Sequence, residues 1–128
     1  MSHADALIPL HLCVLTVSDS RTLAEDRSGD YLVEALTQEG HQLHERALLP
    51  DDRYRLRAQV SQWIADPVVD GILVTGGTGF TGRDSTPEAL LPLLDKEMPG
   101  FGELFRHVSV EEIGTSSLQS RAFAGLAN

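Results

Sequence analysis

The alternation of apolar and polar residues predicts three strands with helices between them. The apolar run His11–Val17 is typical of a buried strand, and so is the shorter run Gly71–Thr75, which contains β-branched residues. Gln42–Leu49 alternates only weakly, which predicts a strand at or near the edge of a sheet. Each strand is followed by a polar or glycine-rich stretch, where a change of direction is expected.

Apolar residues at helical spacing predict the connecting segments. Ser28 and Gly29 can cap a helix that runs to about residue 39, and Gly40 ends it. After the second strand, Leu56, Val60, Trp63 and Ile64 recur at i, i+4, i+7 and i+8 in a second amphipathic helix. Three further helices are expected at residues 86–96, with a bend at Pro92, and at residues 102–110 and 118–127.

The order of these elements predicts an α/β fold. Strands that alternate with helices form a mostly parallel sheet with right-handed crossovers and helices on both faces, a three-layer αβα arrangement. Residues 1–8 are expected to form an N-terminal tail and residues 9–128 a single domain, since 128 residues suffice for one core. In such folds ligands bind beyond the carboxyl ends of the strands.

Composition and charge exclude several classes of function. The net charge of −9 argues against binding to nucleic acid or an anionic membrane, because both need a basic face. The first six residues lack the basic start and long apolar run of a signal peptide, and no stretch approaches the length of a membrane span, so we expect neither feature. The single cysteine fits a reducing cytoplasm. Cys13 lies in an apolar run and is interpreted as a buried hydrophobe rather than a nucleophile. Trp63 belongs to the apolar stripe and is interpreted as core rather than as a stacking surface.

A glycine-rich segment joins the third strand to the next helix. Gly76, Gly77, Gly79 and Gly82 lack side chains, so backbone N–H groups there can approach a ligand closely. Thr86-Pro87-Glu88 then supplies a hydroxyl cap, a proline and an acid at the start of the helix. This order of elements predicts an anion site suited to a phosphate group.

The glycine segment differs from the two common phosphate motifs. Residues 77–82 match GxGxxG but follow the third strand rather than the first, and no Gly-Lys-Ser/Thr of a Walker A loop is present. Asp84 would repel phosphate unless a cation lay between them, which suggests Mg²⁺ held together with substrate phosphates. The alternative is that Asp84 or Ser85 only caps the following helix.

Acidic residues follow each of the three predicted strands. Asp19 comes after the first strand, Asp51 and Asp52 after the second, and Asp84 after the third. Carboxylates at one sheet edge beside an anion loop are typical of Mg²⁺-dependent nucleotidyl or phosphoryl transfer. Arginines accompany these loops; most are expected to be solvated surface charges, although guanidinium also binds phosphate well. They are Arg21, Arg27, Arg53, Arg55, Arg57 and Arg83.

The same residues resemble the molybdenum-cofactor biosynthesis domain shared by molybdopterin adenylyltransferases and the related MoaB proteins. The resemblance runs along nearly the whole chain from Leu10, and the glycine segment followed by Arg83-Asp84-x-Thr86-Pro87-Glu88 is its most specific part. Three segments are closer to the MoaB branch: residues 101–106, 113–116 and 119–122.

The resemblance implies a homotrimer or dimer of trimers that binds molybdopterin and ATP. It implies transfer of AMP from Mg-ATP to the terminal phosphate of molybdopterin, with Asp51 and Asp84 as catalytic and Mg²⁺-binding residues. The remaining positions would bind substrate: Ser18, Asp19, Ser28, Gly29, Gly76, Gly77, Thr78, Gly79, Arg83, Ser117, Ser120 and Arg121.

The resemblance also implies a longer chain, with a further strand, a Pro-Gly loop and a helix after the position of Asn128, so we expect a C-terminally truncated domain. Retention of both aspartates favours an enzyme. Truncation favours the alternative, a non-catalytic, oligomeric pterin-binding carrier of the same pathway. A generic nucleotide-binding domain is a third interpretation, which the Arg83-Asp84-x-Thr86-Pro87 segment disfavours.

Overall fold

The computed structural model describes residues 8–20, 22–76, 85–100 and 123–128. The strands in these ranges are β1 (His11–Val17), β2 (Gln42–Leu49), β3 (Gly71–Thr75), β4 (Lys96–Glu97) and β5 (Gly125–Leu126). The α-helices are α1 (Arg27–Gln38), α2 (Arg53–Ala65) and α3 (Thr86–Leu90), with 3-10 turns at Leu23–Glu25 and Leu91–Leu93.

The main sheet is parallel and has β1 at its centre. Its strand order is β2-β1-β3, and β4 and β5 form a separate antiparallel pair. Leu15 lies opposite Ala47 on β2 and Val74 on β3. The register of β1 against β2 shifts between Leu12 and Cys13. The three strands therefore end at the same edge of the sheet, as the predicted α/β fold requires.

Side chains of β1 alternate between two apolar layers. Leu12 and Val14 pack with Leu36 of α1 on one face. Cys13 and Leu15 point to the opposite face, where they join side chains of α2 and α3. This alternation follows from the period of two in a strand. It confirms the predicted three-layer arrangement, with helices on both faces of the sheet.

Two interpretations of single residues are confirmed. Trp63 is 2% exposed and belongs to the core, where its indole N–H donates to the carboxylate of Glu45. Cys13 is fully buried, and burial raises the pKa of its thiol to about 11. Little of the nucleophilic thiolate is therefore present at neutral pH, so Cys13 is a poor candidate for a nucleophile. No helix in the described ranges is long and apolar enough to cross a membrane.

Helix α1 begins at Arg27, and its cap is Asp26 rather than the predicted Ser28 or Gly29. One carboxylate oxygen, Oδ1, accepts from the N–H of Gly29 at 2.9 Å. Oδ2 accepts from Thr16 Oγ1 of β1 at 2.7 Å and from Arg46 Nη2 of β2 at 3.1 Å. A Cβ atom at Gly29 would overlap Oδ2, so glycine is required for this close approach. One buried carboxylate thus joins α1 to two strands.

The predictions for the C-terminal third are correct only in part. The helix expected at 86–96 ends at Leu90 and tightens to a 3-10 turn at Leu91–Leu93. Pro92 explains this change, since proline has no N–H and obstructs the preceding turn. The prediction of a helix up to residue 127 is wrong at its end. Gly125–Leu126 forms a strand there, and its backbone pairs with residues 95–98. Residues 101–122, with the helix expected at 102–110, lie outside the described ranges.

We predict that Leu15→Ala lowers the free energy of unfolding by about 2–5 kcal/mol, because Leu15 is fully buried at the centre of the sheet. Leu23→Ala is the control, since Leu23 is 54% exposed and its truncation is expected to cost about 0.5 kcal/mol or less. Urea unfolding followed by Trp63 fluorescence measures both. Equal losses in the two variants would contradict the assigned core.

We predict that Asp26→Asn lowers the free energy of unfolding by about 2 kcal/mol at pH 7. Burial raises the pKa of Asp26, but the hydrogen bonds from Thr16, Gly29 and Arg46 outweigh it and hold the pKa below its ordinary 3.8. The stabilisation is therefore complete above the unfolded-state pKa and is lost as the pH falls through the lower folded-state pKa.

Urea unfolding of wild type and Asp26→Asn at a series of pH values checks this expectation. The difference in free energy of unfolding between the two proteins should be constant between pH 5 and pH 7, where the pH is about one unit or more above the unfolded-state pKa of aspartate. It should shrink progressively below about pH 4. A difference that does not change down to pH 2 would show that the charge of Asp26 contributes nothing.

Candidate functional site

A pocket opens at the edge where the three parallel strands end. Its volume is about 200 Å³, and its lining comes from the end of β1, the start of α1 and the end of β3. The lining residues are Thr16, Val17, Ser18, Asp26, Ser28, Thr75 and Gly76. The pocket therefore occupies the position at which parallel α/β folds bind ligands.

Gly76 fits this position because of its backbone conformation. Its φ is +98°, and a Cβ atom there would overlap the carbonyl oxygen of Val17. Only glycine adopts this conformation without strain and lets the chain after β3 lie directly against the end of β1. On the other side of β1, the N–H of Ser18 donates to Leu49 O at 2.9 Å. Both neighbours of β1 are thus held close at the pocket.

Asp26 supplies the buried polar part of the pocket, where its side chain is 1% exposed. Arg46 Nη2 lies 3.1 Å from Asp26 and 2.7 Å from Asp30. These hydrogen bonds and charges, first of all the bond to Asp30, raise the pKa of Arg46 above its already high ordinary value. The guanidinium therefore neutralises two carboxylates of α1 and its cap.

Asp51 connects the end of β2 to the start of α3. Its carboxylate accepts from the N–H of Ser85, at 3.0 Å to Oδ1 and 3.2 Å to Oδ2, and from the Ser85 hydroxyl. The backbone N–H of Asp51 donates to Asp19 Oδ1 at 2.9 Å. The structure thus brings together two of the predicted acids, Asp19 and Asp51. Asp52 has a different role, since it caps α2 by accepting from Tyr54 N and Arg55 N.

Thr86 has a role that the sequence analysis did not predict. The N-cap of α3 is Ser85, whose side chain makes no capping hydrogen bond, and Thr86 is the first helical residue. The hydroxyl of Thr86 instead donates to Gly76 O at 3.0 Å. The expectation that Thr86 caps the helix is therefore wrong. Its bond spans residues 77–84, which lie outside the described ranges.

Arg57, one of the arginines expected near the site, contacts the backbone of α3. Its Nε donates to Ala89 O at 2.8 Å and its Nη2 donates to Glu88 O at 2.9 Å. The guanidinium also lies 5.8 Å from the ring centroid of Tyr54. Since both carbonyls belong to the last turn of α3, Arg57 holds this short helix against α2.

The structure places six of the predicted site residues. Ser18, Ser28 and Gly76 line the pocket, Gly29 contacts its buried acid, and Asp19 and Asp51 lie beside each other at the strand ends. Eight predicted site residues lie outside the described ranges, namely Gly77, Thr78, Gly79, Arg83, Asp84, Ser117, Ser120 and Arg121.

The sequence analysis missed four lining residues of the pocket. Thr16, Val17 and Thr75 are the last residues of β1 and β3, and topology alone could have indicated them, since strand ends meet at one edge. Asp26 could have been found as an Asp-x-x-Gly cap before an amphipathic helix.

The donor chemistry at the strand ends fits a magnesium ion. Asp19 and Asp51 offer carboxylate oxygens, the ligands that Mg²⁺ prefers, and both carboxylates also accept hydrogen bonds. The described residues contain no cluster of three or more His, Cys, Asp or Glu side chains that could hold a metal ion.

Comparisons with known proteins give consistent results. Residues 13–127 match the family model described as "Probable molybdopterin binding domain". The chain is 54% identical over 121 residues to molybdenum cofactor biosynthesis protein B of Escherichia coli K12, an alignment that covers 94% of this chain and 71% of the relative. It is 42% identical over 114 residues to the protein of the same name from Bacillus subtilis, over 88% of this chain and 67% of the relative.

Solved structures share the fold. A crystal structure of a molybdenum cofactor biosynthesis protein B superposes with a TM-score of 0.89 at 41% identity, over 94% of this chain and 75% of that one. The tungsten cofactor synthesizing protein MoaB from Pyrococcus furiosus gives 0.82 at 36% identity, over 94% of this chain and 74% of that one. Sequence match and shared architecture agree, and the chain belongs to the molybdopterin-binding domain family of molybdenum cofactor biosynthesis proteins.

Proposed function

We propose that this protein binds molybdopterin in the pocket at the carboxyl edge of the sheet and acts in molybdenum cofactor biosynthesis. The observation that carries the proposal is the convergence of Ser18, Ser28 and Gly76 on one pocket. The resemblance implies Ser18 and Ser28 as substrate contacts, and Gly76 is indicated both by the resemblance and by the glycine-rich segment. Hydroxyl groups and a glycine backbone suit a ligand with a polar ring system and a phosphate.

We further propose that the protein transfers AMP from ATP to the terminal phosphate of molybdopterin. A phosphate oxygen of molybdopterin attacks the α-phosphorus of ATP, the bond to the β-phosphate oxygen breaks, and pyrophosphate leaves. No covalent protein intermediate is needed, so the protein has to position two anions and neutralise their charge. In this proposal the N–H groups of Gly76 and residues 77–79 would donate to phosphate, and Arg83 would add a cation.

Magnesium would be held by Asp84 and Asp51 together with the phosphates, and it would supply charge neutralisation and Lewis-acid polarisation of phosphoryl oxygens. Among the described residues, Asp51 Oδ2 accepts one hydrogen bond, from Ser85 N at 3.2 Å, and its second lone pair can accept a hydrogen bond from a water molecule of a hydrated ion. Asp19 lies beside Asp51 and adds negative charge that attracts a divalent cation.

The second candidate function is a non-catalytic carrier that binds the pterin without turnover. The engagement of Asp51 by both the N–H and the hydroxyl of Ser85 favours it, because these bonds give the carboxylate a structural role. Product formation distinguishes the two candidates, since only the transferase releases pyrophosphate. For either function we propose a homotrimer or dimer of trimers in the cytoplasm, which light scattering and cell fractionation would test.

We predict that molybdopterin raises the melting temperature without ATP, because a ligand that binds only the native state stabilises it. At about 100 times the dissociation constant, a stabilisation of about 2.7 kcal/mol corresponds to a shift on the order of 10 °C. Ser28→Ala should weaken binding, while Ser61→Ala, an exposed serine on α2, should not. A shift with ATP but none with molybdopterin would contradict the proposal.

We predict that Asp84→Asn reduces Mg²⁺-dependent formation of adenylylated molybdopterin at least about 100-fold, since it removes a charge that neutralises the phosphates through the ion. Chromatography of reactions with molybdopterin, ATP and Mg²⁺ measures the product. Asp70→Asn is the control, because Asp70 lies at the opposite end of β3 and should leave the rate unchanged. A folded, pterin-binding wild type that forms no product would favour the carrier.

A further inference from the structure

Two hydroxyl groups hold the chain on either side of residues 77–84. Before this segment, the carbonyl of Gly76 accepts from Thr86 Oγ1 at 3.0 Å. After it, Ser85 donates from its N–H and its hydroxyl to Asp51 at the end of β2. Thr86 is 2% exposed, so its bond is shielded from water. We refer to Gly76, Ser85 and Thr86 together as the loop base.

We propose that Ser85 and Thr86 are positioning residues for ligand binding, which act by fixing the loop base. The inference rests on the proposed function, because the ligand is taken to be molybdopterin. Gly76 lines the pocket, so the hydroxyl of Thr86 determines where one wall of the pocket lies. Neither hydroxyl needs to touch the ligand, since each acts through the backbone that it holds.

Helix α2 provides the rigid support for this arrangement. Asp51 directly precedes Asp52, the cap of α2, and its carboxylate accepts hydrogen bonds from Ser85 at the start of α3. Arg57 in α2 donates to Glu88 O and Ala89 O at the other end of α3. Because α3 is held at both of its ends, the hydroxyl of Thr86 is presented to Gly76 in a fixed position. Such preorganisation reduces the ordering that a ligand must otherwise impose.

The variant Thr86→Val tests the inference, because valine keeps the shape of threonine and removes the hydroxyl. Thr37→Val is a matched control, since Thr37 Oγ1 donates to Val33 O at 2.7 Å within α1, away from the pocket. The two measurements are the dissociation constant for molybdopterin, taken where each variant is folded, and hydrogen–deuterium exchange of residues 76–86 without ligand.

We expect Thr86→Val to weaken molybdopterin binding about tenfold and to speed exchange in residues 76–86. Thr86→Ser should restore the wild-type affinity within about twofold, and Thr37→Val should change neither measurement. Ser85→Ala should weaken binding about threefold, because the N–H bond of residue 85 to Asp51 remains. If Thr86→Val fails to fold, Ser85→Ala and Thr86→Ser decide the inference.

A lower melting temperature of Thr86→Val, with wild-type affinity and wild-type exchange, would overturn the inference, because a structural role alone predicts that result. Failure of the wild type to bind molybdopterin would instead refute the proposed function. In that case the exchange measurement decides separately: unchanged exchange in residues 76–86 refutes the positioning role, and faster exchange in Thr86→Val alone supports it.

Discussion

The buried carboxylate of Asp26 is the interaction on which the site depends. It joins the N-terminus of α1 to Thr16 on β1 and to Arg46 on β2, three elements that meet at the carboxyl edge of the sheet. A buried charge is tolerated only where it is paired and hydrogen-bonded, and each partner here meets that need. The position of the pocket therefore follows from the same bonds that hold α1 on the sheet.

The fold could be predicted because it depends on periodic patterns. β1 alternates between two apolar layers, and α2 presents Leu56, Val60 and Trp63 to one of them, as their spacing indicated. Predictions failed where a single residue or a distant partner decided the structure. Asp26 rather than Ser28 caps α1 because it also binds β1, and Gly125–Leu126 is extended because it pairs with β4.

The candidate site could be predicted only as far as topology reaches. Strand ends gather at one edge, and the described residues place Ser18 and Gly76 in one pocket there. Asp51 lies at the end of β2, where it contacts Asp19 and Ser85. The bonds that fix them are not periodic. Ser85 and Asp51 are separated by 34 residues, and Thr86 reaches Gly76 across ten. The sequence does not indicate which distant group will accept a hydrogen bond from a hydroxyl in a loop.

Two arginines are already bonded within the fold, which affects how a protein with a net charge of −9 can bind an anion. Arg46 is paired with Asp26 and Asp30, and Arg57 donates to the carbonyls of α3. Neither guanidinium is therefore available to a phosphate without loss of a structural bond. In the proposed function an anion would therefore be bound by backbone N–H groups, by Arg83 and by a cation that arrives with the ligand, rather than by Arg46 or Arg57. In the proposed function this cation is the magnesium ion of Mg-ATP, since the complex carries less negative charge than free ATP and is repelled less by Asp19 and Asp51.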